Sequence, residues 1–114
     1  MLSIKEEGIL LAIIKHCGKI NEKMLDLTRE QFDNDEDTLQ IICFNIMQIG
    51  ELAKNFEPSF TKKYSKAPWK QIKGMRDKVA HGYGSIDKNK VWDTAIEDIN
   101  PLLQYCNQIL EENK

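Results

Sequence analysis

The sequence predicts an all-α fold, which we expect to be an up-and-down four-helix bundle with short extra helices. Apolar residues recur at spacings of three and four over most of the chain, as they do along one face of a helix. Capping residues precede the periodic stretches, and glycine or proline separates them. No run alternates apolar and polar residues as a strand would. The 114 residues suffice for one core, so we expect a single domain over residues 1–114.

The first helix is predicted to begin after Ser3, because Glu6 stands three residues later and completes a capping box. The apolar pattern permits an end near Gly18 or a continuation to Leu25. A short second helix is predicted after Thr28, since the same capping pattern recurs there and is followed by an apolar residue for the core.

The central helix is predicted over residues 35–56. An acidic run at residues 33–37 marks its start, where negative charge meets the positive end of the helix dipole. Residues 41–49 are apolar almost all round, which indicates a central position in the bundle or a subunit interface. Gly50 costs a helix roughly 1 kcal/mol relative to alanine, so we expect another backbone to approach closely there. Glu51 beside it is either solvated or paired with a basic group near the functional site.

The second half of the chain is predicted to hold two more long helices. A connector begins at Pro58 and contains one amphipathic turn, and a helix with Trp69 facing the core starts at Pro68. The last helix is predicted to follow a cap at residues 85–87. Pro101 lies inside it and should kink or break it after Ile99 or Asn100.

Cysteine and histidine usage predicts no metal site, disulfide framework or cofactor. Cys17, Cys43 and Cys106 are far apart, odd in number and without paired histidine ligands, so we expect them to be small buried residues. His16 has no partner motif and is expected to be partly buried at the surface. No signal peptide or membrane-length apolar run is visible, and we expect a cytoplasmic location.

Positive charge is concentrated in one part of the chain. The net charge of the whole chain is −2, but residues 61–90 carry +7, against −5 for residues 1–60 and −4 for residues 91–114. A local basic field attracts a polyanion even on an acidic protein, although a solvated lysine-rich face is a common alternative. We therefore expect nucleic acid as a partner, with Lys73 and Lys78 as candidate contacts.

The candidate functional residues Arg76, His81 and Tyr83 stand at the end of the helix that starts at Pro68. Histidine can take and give a proton near neutral pH, and arginine offers a planar fork that matches phosphate oxygens. The pair suits phosphodiester cleavage, with His81 deprotonating a ribose 2′-OH and Arg76 holding the phosphate, and this chemistry requires no metal.

Spacing alone leaves a structural role open for these residues, because cations near a helix C-terminus also favour the helix dipole. Five residues place Arg76 and His81 roughly 140° apart on an ideal helix. They converge only if the helix frays at His81 or if both face a cleft shared with a second molecule.

The motif Arg76-x4-His81-x-Tyr83, preceded by PWKQIKGM at residues 68–75, resembles the signature of the HepT toxins, small all-helical members of the HEPN ribonuclease superfamily. The segment IGELA at residues 49–53 is similar to an Ile-Gly-Glu-Ala segment of those proteins, and residues 91–96 resemble their last helix. In one departure, Asp77 stands where family members often have asparagine, and its carboxylate would orient Arg76 but repel phosphate.

The resemblance implies a homodimer with a composite site that cleaves RNA without metal. It also implies a nucleotidyltransferase antitoxin as partner, which can adenylylate the tyrosine at the position of Tyr83. A bulky negative group there would block phosphate from Arg76. The alternative is a non-catalytic helical module that serves as partner or substrate-binding subunit of a nucleotidyltransferase.

Overall fold

The computed structural model describes residues 1–80 and 86–114, apart from the side chains of residues 75 and 78–80. The prediction of an all-α fold is confirmed, because the described residues are helical or in turns and contain no strand. The elements are α1 (Ile4–Met24), α2 (Arg29–Asp33), α3 (Glu36–Ala53), α4 (Pro58–Lys63), α5 (Trp69–Ala80), α6 (Lys88–Asp93), a π-helical turn (Thr94–Asp98) and α7 (Ile99–Glu112).

The helices begin where the sequence predicts. The capping box at α1 is formed: Ser3 Oγ accepts from the Glu6 N–H at 3.0 Å, and Glu6 Oε1 accepts from the Ser3 N–H at 2.9 Å. Thr28 forms the same box at α2, and Asp35 caps α3. Of the two predicted ends of α1, the later one is right, because the helix continues through Gly18 to Met24.

The core lies where α1 packs against both α3 and α7, while α3 also packs against α5. The three cysteines are buried free thiols, as predicted, and burial raises the pKa of Cys17 to about 12, that of Cys43 to about 11 and that of Cys106 to about 12. The residues with no exposed surface include Leu10, Ile13, Ile20, Phe32, Ile42 and Ile109.

The interruption of the last helix is displaced from its predicted place after Ile99 or Asn100. The backbone instead forms a π-helical turn at Thr94–Asp98, and the regular helix resumes at Ile99. Pro101 has no N–H to donate to the carbonyl four residues earlier, and its ring crowds that carbonyl. The widened turn just before it accommodates the proline, so the helix continues to Glu112 without a break.

Gly50 on α3 lies directly against α5, which confirms the prediction of a close neighbour there. A Cβ atom at this position would overlap Arg76 Cβ, and it would lie 2.9 Å from Arg76 Cγ and 3.2 Å from the Ile72 carbonyl oxygen. These atoms are close to the backbone of α5 and cannot rotate away. The absence of a side chain at Gly50 therefore sets the distance between the two helices.

We expect Gly50→Ala to destabilise the protein. Overpacking of this kind costs roughly 1–3 kcal/mol, whereas the better helix propensity of alanine recovers about 1 kcal/mol at most. The control is Gly18→Ala in α1, where an added Cβ has no heavy atom within 4 Å and should be neutral or stabilising. Urea unfolding of both variants tests this, and equal stabilisation by the two substitutions would contradict it.

Because of the cap of α3, we expect the folding stability of the protein to vary with pH in the acidic range. The Thr38 hydroxyl donates to Asp35 Oδ2 at 2.7 Å and its N–H donates to Oδ1 at 3.0 Å, and these bonds lower the pKa of Asp35. A lowered pKa in the folded state means that the contribution is complete above the unfolded pKa and disappears as pH falls through the folded value. Asp35→Asn keeps a cap but cannot titrate.

We therefore expect the midpoint of thermal unfolding to fall less steeply between pH 5 and pH 2 in Asp35→Asn than in the wild type. Thr38→Val removes the hydroxyl that contributes most to the lowered pKa, and it should also flatten the profile. Profiles of the same slope in all three proteins would contradict this account.

Candidate active site between α3 and α5

Helix α5 carries Arg76, and an aromatic cluster fixes the start of this helix. Trp69 is buried, its indole Nε1–H donates to the Tyr64 carbonyl at 2.8 Å, and its ring lies 5.2 Å from that of Phe56. Phe56 in turn stacks on Phe60 at 4.0 Å between centroids. The helix is thus anchored about two turns before Arg76 by a cluster in which Trp69 faces the core, as the sequence predicts.

Arg76 lies against α3 and contacts two carboxylates. Its Nη2 forms an ion pair with Glu51 Oε1, and its Nη1 donates to Asp77 Oδ1 at 2.7 Å. Glu51 also lies 3.9 Å from Lys54 Nζ. Of the two interpretations of Glu51 from sequence, pairing with a basic group is the one observed. The sequence signal was its position next to Gly50, the only α3 residue that lets the Arg76 stem approach so closely.

The electrostatics of this cluster hold the guanidinium charged and oriented. The hydrogen bond that Arg76 donates to Asp77, together with the charge of Glu51, raises the pKa of Arg76. The arginine side chain is 26% exposed, so part of it remains in contact with solvent. Arg76 Nε is buried and has no hydrogen-bond partner among the residues that the structure describes. A phosphate that replaced one carboxylate would find a preoriented donor pair.

Of the predicted site residues, the structure describes Arg76, Asp77 and Lys73. Lys73 is half-buried on α5, one turn before Arg76, and Asp77 is exposed beside it. His81 and Tyr83 lie outside the described residues, as does the side chain of Lys78. The predicted roles of these three residues stay predictions.

A buried polar pair on the other face of α3 was missed by the sequence analysis. Asn45 is 3% exposed, its Oδ1 lies 2.8 Å from His16 Nδ1, and its Nδ2 donates to the Ile41 carbonyl at 2.8 Å. His16 is half-buried, as predicted. Its partner was not predicted, because residues 41–49, which contain Asn45, are apolar almost all round. Asn45 and Gln48 are the two polar side chains within residues 41–49, and Asn45 was the available signal. Ile41 and Phe44 beside it are exposed, at 37% and 53%.

Two absences apply to the described part of the chain. Residues 1–80 and 86–114 contain no group of three or more histidine, cysteine, aspartate or glutamate side chains arranged to hold a metal ion. In the same ranges, no helix has the length and apolar character needed to cross a membrane.

Comparison with known proteins identifies relatives over most of the chain. The family described as Ribonuclease HepT-like matches residues 13–109. A protein from Caldanaerobacter subterraneus subsp. tengcongensis named "Putative RNase TTE0752" is 32% identical over 102 residues, which cover 90% of this chain and 91% of the relative.

A protein from Thermococcus cleftensis named "Probable ribonuclease HepT" is 32% identical over 83 residues, which cover 73% of this chain and 76% of the relative. No solved structure matches the chain. The matched range contains α3, α5 and the cluster around Arg76, and the chain belongs to the ribonuclease HepT-like family.

Proposed function

We propose that this protein is an endoribonuclease that cleaves RNA through Arg76 and His81 and acts as the toxin of a toxin–antitoxin pair. The observation that carries the proposal is the Arg76 guanidinium, which is fixed at the contact of α3 and α5 by Glu51 and Asp77 yet accessible from solvent. Membership of the ribonuclease HepT-like family supports the substrate class.

The reaction is a transesterification that requires no metal. The His81 imidazole takes the proton from a ribose 2′-OH, and the 2′-oxygen attacks the adjacent phosphorus. Arg76 stabilises the negative charge that develops on the phosphoryl oxygens. The bond to the 5′-oxygen breaks, and this oxygen receives a proton from an imidazolium. The products are a 2′,3′-cyclic phosphate and a 5′-hydroxyl, so atoms and charge balance without any further reactant.

Arg76 must exchange a carboxylate for phosphate during this cycle. Asp77 is the better candidate for displacement, because its side chain is 57% exposed while that of Glu51 is 41% exposed. Glu51 then keeps the guanidinium oriented from α3. In this arrangement Glu51 positions Arg76, and Asp77 occupies the phosphate site until the substrate enters.

A homodimer completes the site. The step uses a base and an acid, and each chain supplies one histidine in the motif, since His16 is engaged with Asn45 on the far side of α3. Two copies related by a two-fold axis would bring two His81 and two Arg76 side chains to one cleft.

The partner that regulates the toxin is a nucleotidyltransferase antitoxin. Buried free cysteines suit the reducing cytoplasm in which we place both proteins.

We expect His81→Ala to reduce RNA cleavage by a factor of roughly 100 or more, because the general base is lost. The matched control is His16→Gln, which replaces the other histidine and should retain cleavage. Cleavage of end-labelled RNA with end-group analysis gives the rate and tests for the cyclic phosphate, while circular dichroism and sedimentation monitor folding and dimerisation. Undiminished cleavage by His81→Ala would sink the mechanism and favour the non-catalytic helical module.

We expect Tyr83 to be adenylylated by the antitoxin. The phenol oxygen attacks the α-phosphorus of ATP, pyrophosphate leaves, and the phenol proton passes to solvent. Mass spectrometry after incubation with the nucleotidyltransferase and ATP should show added adenylyl groups in the wild type and in the control Tyr105→Phe, but not in Tyr83→Phe. A mass gain that persists in Tyr83→Phe would place the modification elsewhere.

A further inference from the structure

The surface before Arg76 has an unbalanced charge. Residues 58–76 contain five lysines and Arg76 but no aspartate or glutamate, in a chain whose net charge is −2. We call Lys62, Lys63, Lys66, Lys70 and Lys73 the lysine track. Four of these side chains are exposed and Lys73 is half-buried. Within the described ranges none of the five contacts a carboxylate, whereas Lys5, Lys54 and Lys114 each do.

Helical geometry aligns the track with the candidate site. Lys70, Lys73 and Arg76 follow one another at intervals of three residues on α5, and residues at this spacing are neighbours on a helix surface. Each step rises about 4.5 Å and turns the direction by about 60°. The three cations therefore form a stripe roughly 9 Å long that turns by about 120° round α5 between Lys70 and Arg76.

The remaining lysines of the track lie at the end of α4 and in the turn that connects α4 to α5, before the stripe on α5 begins. Lys62 and Lys63 lie in the last turn of α4, and Lys66 lies in the turn that follows. Phe60 of α4 stacks on Phe56, and Trp69 of α5 packs on the same ring, so the two helices share one aromatic cluster. The cluster therefore packs the end of α4 against the start of α5, which places these lysines next to α5.

The aromatic rings near the track are not available for stacking on bases. Phe60, Tyr64 and Trp69 are all buried, at 4%, 9% and 6% exposed. Surfaces that bind a single strand through bases need exposed aromatic faces, whereas ammonium groups alone bind phosphates. The track therefore offers contacts to the sugar-phosphate backbone and no base readout along the described surface.

We infer that the lysine track binds the backbone of one RNA strand and leads it to Arg76, so that the substrate is a single strand of several nucleotides whose binding is independent of base sequence. The inference rests on the proposed function for its choice of RNA as the polyanion. A single strand fits because the attack of a 2′-oxygen in line with the leaving 5′-oxygen requires a flexible backbone at the cleaved phosphate.

The test is the binding of a 12-nucleotide RNA, followed by fluorescence anisotropy between 50 and 200 mM salt. Cleavage is prevented by measuring every protein in the His81→Ala background. The track variant carries Lys66→Gln and Lys70→Gln, and the matched control carries Lys15→Gln and Lys19→Gln on the exposed side of α1. All variants lose two positive charges, so a difference between them reports position and not net charge.

We expect the track variant to bind roughly ten- to hundred-fold more weakly at 50 mM salt, and its plot of log affinity against log salt should be shallower by about 1.4, or about 0.7 for each lost phosphate contact. The control should retain the wild-type slope. The track substitutions should lower the affinity for an oligouridine 12-mer and for an oligoadenosine 12-mer by the same factor, because the lysines contact phosphates and not bases. A substrate of two nucleotides should show a smaller loss in kcat/KM than the 12-mer when the track substitutions are made in the active protein.

An unchanged slope in the track variant, or a loss confined to one base composition, would overturn the inference. So would a change in oligomeric state on sedimentation, since that result would assign the lysines to an acidic face of a second copy. These outcomes are separate from the fate of the proposed function. If the enzyme is active and the track variant binds RNA normally, only the inference about the lysine track is rejected. If RNA binding depends on the track but the protein never cleaves RNA, only the proposed ribonuclease function is rejected.

Discussion

The contact between Arg76 and Glu51 is the interaction on which the rest of the site depends. It joins α5 to α3 at the height of Gly50, where an added Cβ would overlap the arginine stem. A larger residue at position 50 would collide with the Arg76 stem and push it away from α3. The distance between two helix backbones and the position of a charged group are therefore set by the same missing side chain.

Partial burial strengthens the attraction between Arg76 and Glu51 without the full desolvation cost of a buried charge. The Arg76 side chain is 26% exposed and that of Glu51 is 41% exposed, so water still solvates part of both groups. A fully buried pair would be expensive to desolvate and would be closed to a ligand. Here the guanidinium is oriented by α3 and its other carboxylate partner, Asp77, is 57% exposed, which is the arrangement that phosphate exchange requires.

Local features of the sequence predicted much of the fold, because they act between residues close in the chain. The boxes at Ser3 and Thr28 need a partner only three residues away, and both form as predicted. Pro101 predicted an irregularity, but its location depended on where the helix could widen, and the turn at Thr94–Asp98 absorbed it. The turn also contacts α1, and periodicity does not report such a contact between distant parts of the chain.

The candidate site was predictable in part for the same reason. The chemistry of Arg76 follows from its residue type, and the approach of a second helix at Gly50 follows from the helix cost of glycine. The partner of Glu51 did not follow, because its pairing joins residues 25 positions apart and depends on the rotation of α5 about its axis. The pair of His16 and Asn45 was not predicted for the same reason, because the two residues are 29 positions apart in the chain.

The position of α5 at the edge of the bundle links the fold to the function we propose. Helix α5 packs mainly on α3, and a cavity of about 510 Å³ lies between it and the last helical segment, with Ile49, Ile72 and Ile99 among its lining residues. A helix held mainly from one side has fewer buried contacts to resist displacement than α1, which is enclosed by two. Its alignment therefore depends on the aromatic cluster at Trp69 and the ion pair at Arg76. The first lies within the lysine track, at the corner between α4 and α5, and the second lies just beyond its last lysine, so the two anchors that hold α5 in place also define the surface available to a polyanion.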